Sequence, residues 1–273
     1  MSTLLHWLSR RSLAFLHALG ALLGWCAYAL SPVYRRRVRE NAALGGIARG
    51  ARRAAVAHAG RLVAELPRLW LRPSGRALSP AVQWQGAELI DAALAAGRGL
   101  VMLTPHLGAF EVIAQAYAER FGARQPMTAL YRPARQPWLR ELETTARNRP
   151  GLLTAPASLA GVRQMIRALR QGQTVGLLPD QVPPAGLGVW APFFGRPAYT
   201  MTLGSRLVQQ TGAALLLTLC ERLPGAAGWR IRVYPMPEPL PAAAAFGADD
   251  AAHQTECAAV INRAMEFLIR QCP

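Results

Sequence analysis

The residues best suited to chemistry are a histidine and a glutamate five positions apart, His106 and Glu111, in the segment TPHLGAFE. The segment follows an apolar run, GLVML, and precedes a helix-like stretch, VIAQAYAERF. On an ideal helix, residues five apart are separated by about 140° around the axis, so the two side chains would not share one site. The spacing therefore predicts that His106 precedes the helix, on a turn fixed by Pro105 and Gly108, and that Glu111 lies in the first helical turns.

This arrangement would suit general base catalysis. A neutral imidazole can take a proton from a hydroxyl, which typically contributes about 10² to 10⁴ to a rate. A carboxylate on the other ring nitrogen fixes the tautomer and stabilises the imidazolium that forms. We expect Glu111 to reach His106 in this way, with a hydroxyl of the substrate as the nucleophile. The alternative is a structural hydrogen-bonded pair, and the position at a strand end favours catalysis over it.

A second group of polar residues adjoins predicted strands. Arginines in such positions can bind phosphate or a developing oxyanion, and a buried aspartate can hold such an arginine in place. The alternative is ordinary surface arginines and a capping aspartate. The group comprises Arg132 and Arg135, Arg147 and Arg149, and Asp180 and Gln181.

The chain offers no pattern typical of a metal or cofactor site. The remaining histidines, His6, His17, His58 and His253, are far apart and lack ligand spacing. There is no Walker loop, and no GxGxxG follows a predicted strand. The four cysteines form no CxxC, and we expect them to be reduced and structural. We therefore expect neither a metal nor a cofactor.

Short apolar runs alternate with longer amphipathic ones, which favours an α/β fold with a largely parallel sheet flanked by helices. In such folds ligands bind at the carboxyl ends of strands, and His106 follows one such end. The stretch Asp180 to Thr200 is rich in Pro, Gly and aromatic residues, and we expect it to form a lid or wall for an apolar ligand. Predicted strands are Val82–Gln85, Leu100–Leu103, Met127–Tyr131, Gly151–Thr154, Val175–Leu178, Leu215–Leu219 and Trp229–Tyr234. Predicted helices are Arg35–Leu44, Ala51–Leu71, Ala87–Ala96, Ala109–Arg120, Trp138–Ala146, Ser158–Arg170, Met201–Thr211 and Ala251–Ile269.

The segment Ser12 to Leu30 is uncharged and apolar, and as a helix it would reach roughly 28 Å, nearly the hydrocarbon thickness of a bilayer. It predicts a membrane anchor over residues 1–34 and a globular domain over 35–273. A cleaved export signal and a helix lying in the membrane interface are the alternatives. Two arginines precede the segment and four follow it closely, which favours a cytoplasmic position for the main domain.

The formal net charge is +16, and every one of the 31 basic residues is arginine. A basic surface attracts anionic partners, which here could be phospholipid or phosphorylated glycolipid headgroups, an acidic carrier protein or nucleic acid. The aromatic and basic residues are not interleaved as single-strand binding requires, so we do not expect nucleic acid.

Four segments in order, HLGAFE, YRP, GVRQMIRALRQGQTVGLLPDQ and GVWAPFFGRPAYTMTLGSRLVQQTGA, resemble the late acyltransferases of lipid A biosynthesis, within the lysophospholipid acyltransferase superfamily. The HxxxxE element alone is a weak signal, whereas the ordered set is a strong one. The resemblance implies a glycerolipid-acyltransferase-like fold and a bacterial inner-membrane enzyme. Such an enzyme moves a fatty acyl chain from acyl carrier protein to a hydroxyl of a lipid A precursor on the cytoplasmic side.

The resemblance also implies residue roles. His106 would be the general base, Glu111 its partner, and Arg132, Arg147 and Asp180 would lie near the substrate. Members of the family usually continue past the position of Pro273 with an aromatic and basic tail, and the acceptor-determining residues are not recognisable. Acylation of another glycolipid, a lysophospholipid or an aminolipid therefore stays open, as does a membrane-tethered protein that binds anionic lipid without turnover.

Overall fold

The structure is a computed structural model that describes residues 2–131, 136, 149–247 and 250–272 of the 273-residue chain. Arg132, Arg147 and the predicted helix Trp138–Ala146 lie outside the described residues.

The described chain begins with four helices: α1 (Ser2–Ser9), α2 (Leu13–Leu30), α3 (Pro32–Leu44) and α4 (Arg49–Trp70). Serine side chains cap two of them, since Ser12 accepts from the backbone N–H of Phe15 and Ser31 from that of Tyr34. Helix α2 is long enough and, with a mean hydropathy of 1.7, apolar enough to cross a membrane. A signal sequence would meet the same two criteria.

The rest of the described chain alternates strands and helices, as the sequence predicts. The elements are β1 (Gln83–Gln85), α5 (Ala87–Ala95), β2 (Leu100–Leu103), α6 (Glu111–Arg120), β3 (Met127–Tyr131), β4 (Leu152–Pro156), α7 (Leu159–Arg170), β5 (Thr174–Leu177), β6 (Gly188–Phe193), β7 (Arg196–Met201), α8 (Leu203–Thr211), β8 (Ala214–Arg222), β9 (Trp229–Pro235) and α9 (Asp250–Gln271).

Seven of these strands form one sheet in the order β1-β9-β8-β2-β5-β3-β4. All neighbouring pairs are parallel except β8 and β9, which run antiparallel. The prediction of an α/β fold with a largely parallel sheet flanked by helices is thus confirmed, and every predicted strand is present.

The sheet is buried on both faces, and alternate residues of β2 point to opposite sides of it. Leu100 and Met102 join the apolar cluster that contains residues of α4, α5 and α6. Val101 and Leu103 join the cluster that contains residues of α7, α8 and α9. This burial explains why the central strands read as continuous apolar runs.

The strands β6 and β7 form a separate antiparallel hairpin within the stretch expected to be a lid or wall. The hairpin packs on α9, where the Asn262 amide donates to the Pro192 carbonyl at 3.0 Å and to the Thr200 hydroxyl at 2.8 Å. These strands were not predicted from the sequence, because Pro and Gly there obscure the two-residue alternation.

Helices α2 and α4 pack against each other with very close backbones. A Cβ atom at Gly60 of α4 would lie 1.9 Å from the carbonyl oxygen of Gly20, and one at Gly24 would lie 2.3 Å from that of Val56. Small residues four apart, Gly20 and Gly24, therefore create the groove in which α4 rests. The pairing is antiparallel, since His17 of α2 meets Glu65 near the far end of α4.

Candidate active site

His106 and Asp180 meet because they follow neighbouring strands at the same level. Leu103 of β2 is paired with Leu177 of β5, and each residue of the pair lies three positions before its polar counterpart. Both connections read Leu-x-Pro followed by the polar residue, so the chain leaves the two strands in a similar way. Parallel strands bring their carboxyl ends to one edge of the sheet, which is where this pair forms.

Asp180 binds His106 through both carboxylate oxygens. Oδ1 lies 2.7 Å from Nδ1 of the ring, and Oδ2 accepts from the backbone N–H of His106 at 2.8 Å. An ionised carboxylate at Nδ1 fixes the tautomer that carries its proton there, which leaves the lone pair on Nε2. The side-chain amide nitrogen of Gln181 lies 3.1 Å from that Nε2, in the place that a substrate hydroxyl would take.

Glu111 is the first residue of α6, so His106 precedes the helix as the spacing requires. The expectation that Glu111 supports the imidazole directly differs from the structure, in which Asp180 takes the position at Nδ1. Oε2 of Glu111 accepts from the indole N–H of Trp70 at 3.2 Å. An arginine or a capping contact was the partner considered for Asp180, and its observed partner is His106. A contact across 74 residues depends on strand order, which the local sequence pattern does not contain.

The turn between His106 and Glu111 requires glycine at position 108. Gly108 has φ of +65°, and a Cβ atom there would lie 2.2 Å from the carbonyl oxygen of Cys220 on β8. The same carbonyl accepts from the backbone N–H of Ala109 at 2.8 Å, which ties the turn to the sheet. Both the backbone conformation and the close approach exclude a side chain.

The buried Arg149 holds the carboxyl end of α4 beside the site. Its guanidinium donates to the carbonyl oxygens of Leu69 at 3.1 Å and Arg72 at 2.8 Å. A cation at a helix carboxyl terminus satisfies carbonyls that lack helical partners and complements the helix dipole. Burial, with Arg72 close by, lowers the pKa of Arg149 to about 10, so the group remains charged at neutral pH. This clamp fixes Trp70 at the end of α4, and through it the Glu111 carboxylate.

One stripe of α6 carries the matching groups. Glu111, Gln115 and Glu119 recur at four-residue spacing and so face the same way. Gln115 accepts from Arg72 at 3.0 Å, and Glu119 forms an ion pair with Arg72 at 2.6 Å. The end of α4 is thereby locked onto the helix that presents Glu111.

A cavity of about 430 Å³ opens from His106 and Glu111 along the carboxyl ends of β3 and β4. Its volume lies in the range of small-molecule sites. The lining is mostly apolar, with polar side chains such as those of His106, Glu111 and Gln181 among it. The apolar lining includes Phe110, Ala114, Ala129, Leu130, Leu152, Val182 and Pro183. The first residues of the predicted lid thus form part of this wall.

Of the predicted site residues, the structure brings together His106, Glu111 and Asp180, while Arg132 and Arg147 are not among the described residues. No role was predicted from the sequence for Gln181 or Trp70. The repeated Leu-x-Pro-polar pattern was the available signal for the Asp180–His106 contact. Among the described residues, no group of three or more His, Cys, Asp or Glu side chains could hold a metal ion.

A model of the family described as bacterial lipid A biosynthesis acyltransferase matches residues 13–273. The chain is 25% identical over 218 residues to a lipid A biosynthesis palmitoleoyltransferase of Escherichia coli, covering 78% of this chain and 65% of that one. It is 28% identical over 189 residues to a lipid A biosynthesis lauroyltransferase of the same species, covering 69% and 57%.

A third relative is a phosphatidylinositol mannoside acyltransferase of Mycobacterium tuberculosis, 30% identical over 179 residues, with 64% of this chain and 54% of that one covered. The matches thus span less than two thirds of the length of these curated relatives.

Proposed function

Because this chain belongs to the family of bacterial lipid A biosynthesis acyltransferases, we propose that it transfers a fatty acyl chain to a hydroxyl of a glycolipid. The acceptor we propose is a lipid A precursor, and the donor is an acyl thioester of acyl carrier protein. The observation that carries the proposal is the His106–Asp180 pair at the mouth of an apolar cavity.

The reaction begins with proton transfer to His106. The acceptor hydroxyl displaces the Gln181 amide from Nε2, gives its proton to that nitrogen and attacks the thioester carbonyl. The tetrahedral intermediate then collapses, the C–S bond breaks, and the departing thiolate takes the proton from the imidazolium. The products are an ester and the free thiol of the carrier, so atoms and protons balance.

The two carboxylates have different tasks in this mechanism. Asp180 fixes the tautomer and stabilises the imidazolium through its 2.7 Å contact with Nδ1. Glu111, anchored by Trp70, faces the same cavity and binds the acceptor near the reacting hydroxyl. We assign oxyanion stabilisation to Arg147 and to the backbone N–H of Gly108. The N–H of Gly108 is preferred to that of Ala109 because the latter already donates to the Cys220 carbonyl. Arg132 completes the proposed substrate contacts.

The apolar wall of the cavity is where we place the acyl chain. A fatty chain requires a dry slot that begins next to the attacked carbonyl, and the cavity runs from His106 between α6 and the ends of β3 and β4. The segment at Pro183 and Pro184 closes one side of this slot.

We place the enzyme at the bacterial inner membrane, with the catalytic domain on the cytoplasmic side. Support comes from the apolar helix α2 and the net charge of +16, since both the proposed donor and a phosphorylated acceptor are anionic.

The test is product formation by the purified full chain. Acyl carrier protein bearing an acyl chain, incubated with a lipid A precursor and the protein, should yield a product heavier by one acyl group in mass spectrometry. His106→Ala should abolish this product while leaving the thermal unfolding midpoint nearly unchanged. Near-normal turnover by His106→Ala would overturn the mechanism.

A different acceptor is the second candidate, and the similarity to a phosphatidylinositol mannoside acyltransferase favours it. Offering the protein a lipid A precursor, a mannosylated phosphoinositide, a lysophospholipid and an aminolipid in parallel would identify the acceptor. Binding of these lipids without any mass change would favour the non-catalytic alternative.

A further inference from the structure

A second cavity lies at the carboxyl end of α4 and shares no lining residue with the cavity at His106. It has a volume of about 500 Å³ and is formed by α1, the end of α4 and the segment that follows it. Four arginines and one histidine line it, and no carboxylate does. We call it the arginine cavity, after Arg10, Arg68, Arg72 and Arg76.

The charge in the arginine cavity is only partly compensated. Arg72 is paired with Glu119 at 2.6 Å, and its Nε atom is buried without a hydrogen-bond partner in the described part of the chain. Arg68 donates to the carbonyls of Arg11 at 2.7 Å and Ser79 at 3.0 Å, which carry no formal charge. Burial, and the positive charge of Arg76, lower the pKa of Arg68. Mutually repelling cations held around an open cavity favour occupation by an anion.

The geometry suits a phosphate ester. Guanidinium groups bind phosphate oxygens through paired, charge-assisted hydrogen bonds, and several of them converging from different elements can enclose such a group. The wall also has an apolar part, formed by Leu69, Leu71, Leu78 and Trp229, which would accept the carbon skeleton next to the phosphate. The exposed apolar side chains Leu4 and Trp7 lie on α1, which forms one side of the cavity.

The arginine cavity and the reaction site share one short segment. Leu69 and Arg72 line the cavity, while Trp70 between them donates to Glu111 in the reaction site. A ligand that fills the cavity would therefore lie close to the proposed catalytic residues without touching them. We propose that the arginine cavity binds the phosphate ester of a lipid headgroup. This binding site rests on the proposed function and adds a ligand to it. The headgroup belongs either to the acceptor or to a membrane phospholipid.

The first experiment measures binding and does not depend on turnover. Vesicles of phosphatidylcholine with phosphatidic acid are compared with vesicles that contain cholesteryl hemisuccinate, a carboxylate, adjusted to the same surface potential. The test variant is Arg10→Gln with Arg76→Gln. These two side chains line the cavity, and among the described residues neither forms a hydrogen bond that the substitution would break. The control is Arg163→Gln with Arg167→Gln, which removes the same charge from the exposed face of α7.

The test variant should bind phosphatidic acid vesicles at least about tenfold more weakly, the effect of losing one charge-assisted hydrogen bond. Its binding to the carboxylate vesicles should match that of the control variant. An equal loss on both vesicle types, an equal loss in the control, or no loss at all would each overturn the proposal.

The second experiment identifies the source of the phosphate. With the acceptor as the source, the test variant should raise KM for the phosphorylated acceptor about tenfold with kcat retained, and the difference should vanish for an acceptor lacking phosphate. With the bulk membrane as the source, KM stays unchanged while the vesicle effect persists. Absence of any transferase activity would refute the proposed function. The vesicle measurement would still test whether the arginine cavity binds a phosphate ester.

Discussion

The Asp180 carboxylate is the most informative single group in the site, because it meets two donors at once. One oxygen faces Nδ1–H of His106 and the other its backbone N–H. An amide in its place has only one acceptor atom, so its NH₂ group must face one of the two positions. The backbone N–H cannot become an acceptor, whereas the ring can move its proton to Nε2.

Asp180→Asn should therefore favour the tautomer in which Nε2 carries the proton and cannot act as a base. We expect kcat to fall by about 10² to 10⁴ with a nearly unchanged thermal unfolding midpoint. Glu111→Gln is the matched comparison, since it makes the same change in the other carboxylate and should raise KM for the acceptor more than it lowers kcat. A large loss of kcat in Glu111→Gln with near-normal turnover in Asp180→Asn would restore Glu111 as the partner of the imidazole.

At the scale of elements, the strands could be predicted from the sequence, but their order in the sheet could not. Apolar runs such as Leu100–Leu103 identify a buried strand from composition alone, because both faces of it are covered. The order β8-β2-β5 places Asp180 and Cys220 on either side of the His106 turn, and no local periodicity encodes that order. The β6–β7 hairpin was missed for a different reason, since its prolines are unusual in strands.

The side of α6 that lines the cavity also predicts which residue limits the length of the acyl chain. Ala114 lines the cavity together with Glu111 and Gln115. Ala114→Leu should exclude the longest acyl chain that the native protein accepts, by at least about tenfold in kcat/KM relative to a chain shorter by several carbons. Ala114→Ser, which keeps the volume small, serves as the control. The comparison uses carriers loaded with chains of increasing length, and an unchanged length profile in Ala114→Leu would place the chain elsewhere.

The packing of α2 on α4 gives a prediction from two glycines of one helix. Gly60→Ala introduces a Cβ atom into the backbone of α2 and should lower the free energy of unfolding by about 1–3 kcal/mol. Gly50→Ala makes the same chemical change where no atom lies within 4 Å, and should leave stability equal or slightly higher. Urea unfolding in detergent measures both, and equal effects of the two substitutions would contradict the observed helix contact.

At the scale of the whole molecule, an ionic cluster joins the N-terminal helices to the sheet. Glu65 of α4 is fully buried and binds His17 of α2 and Arg222 of β8. Burial alone would raise the pKa of Glu65, but the hydrogen bonds and charges of these two partners outweigh it and lower the pKa. Arg222 also donates to the Gly108 carbonyl at 3.1 Å, so the cluster extends to the turn that carries His106.

His58 next to this cluster makes the protein sensitive to acid. Burial, together with Arg222, Arg61 and His17, lowers the pKa of His58 to about 4 despite the opposing charge of Glu65. The unfolded chain takes up this proton near the ordinary value of 6.5 and the native chain does not, so stability decreases as pH falls from about 6.5 to about 4. The lowered pKa of Glu65 adds a further loss below its ordinary value of 4.5.

His58→Gln should therefore flatten the dependence of the thermal unfolding midpoint on pH between 6.5 and 4. Glutamine keeps an acceptor for Arg61, which lies 3.2 Å from Nε2 of His58. The same slope in His58→Gln and in the native protein would show that His58 does not titrate in this way.

For the proposed membrane-bound state, the antiparallel contact between α2 and α4 also constrains the orientation of the protein on a bilayer. The two helices stay together from His17 and Glu65 to Gly24 and Val56, so a transverse α2 would carry α4 into the hydrocarbon. Helix α4 brings Arg61 beside Gly20, near the middle of α2, and a charge at the bilayer centre costs about 2.5–3.5 kcal/mol or more. A tangential position immerses only the outer side of α2, where Phe15, Leu22, Leu23, Trp25 and Leu30 are exposed. In that position the protein lies at the membrane surface with only one apolar side of α2 immersed, and the guanidinium groups of α4 lie among the lipid headgroups.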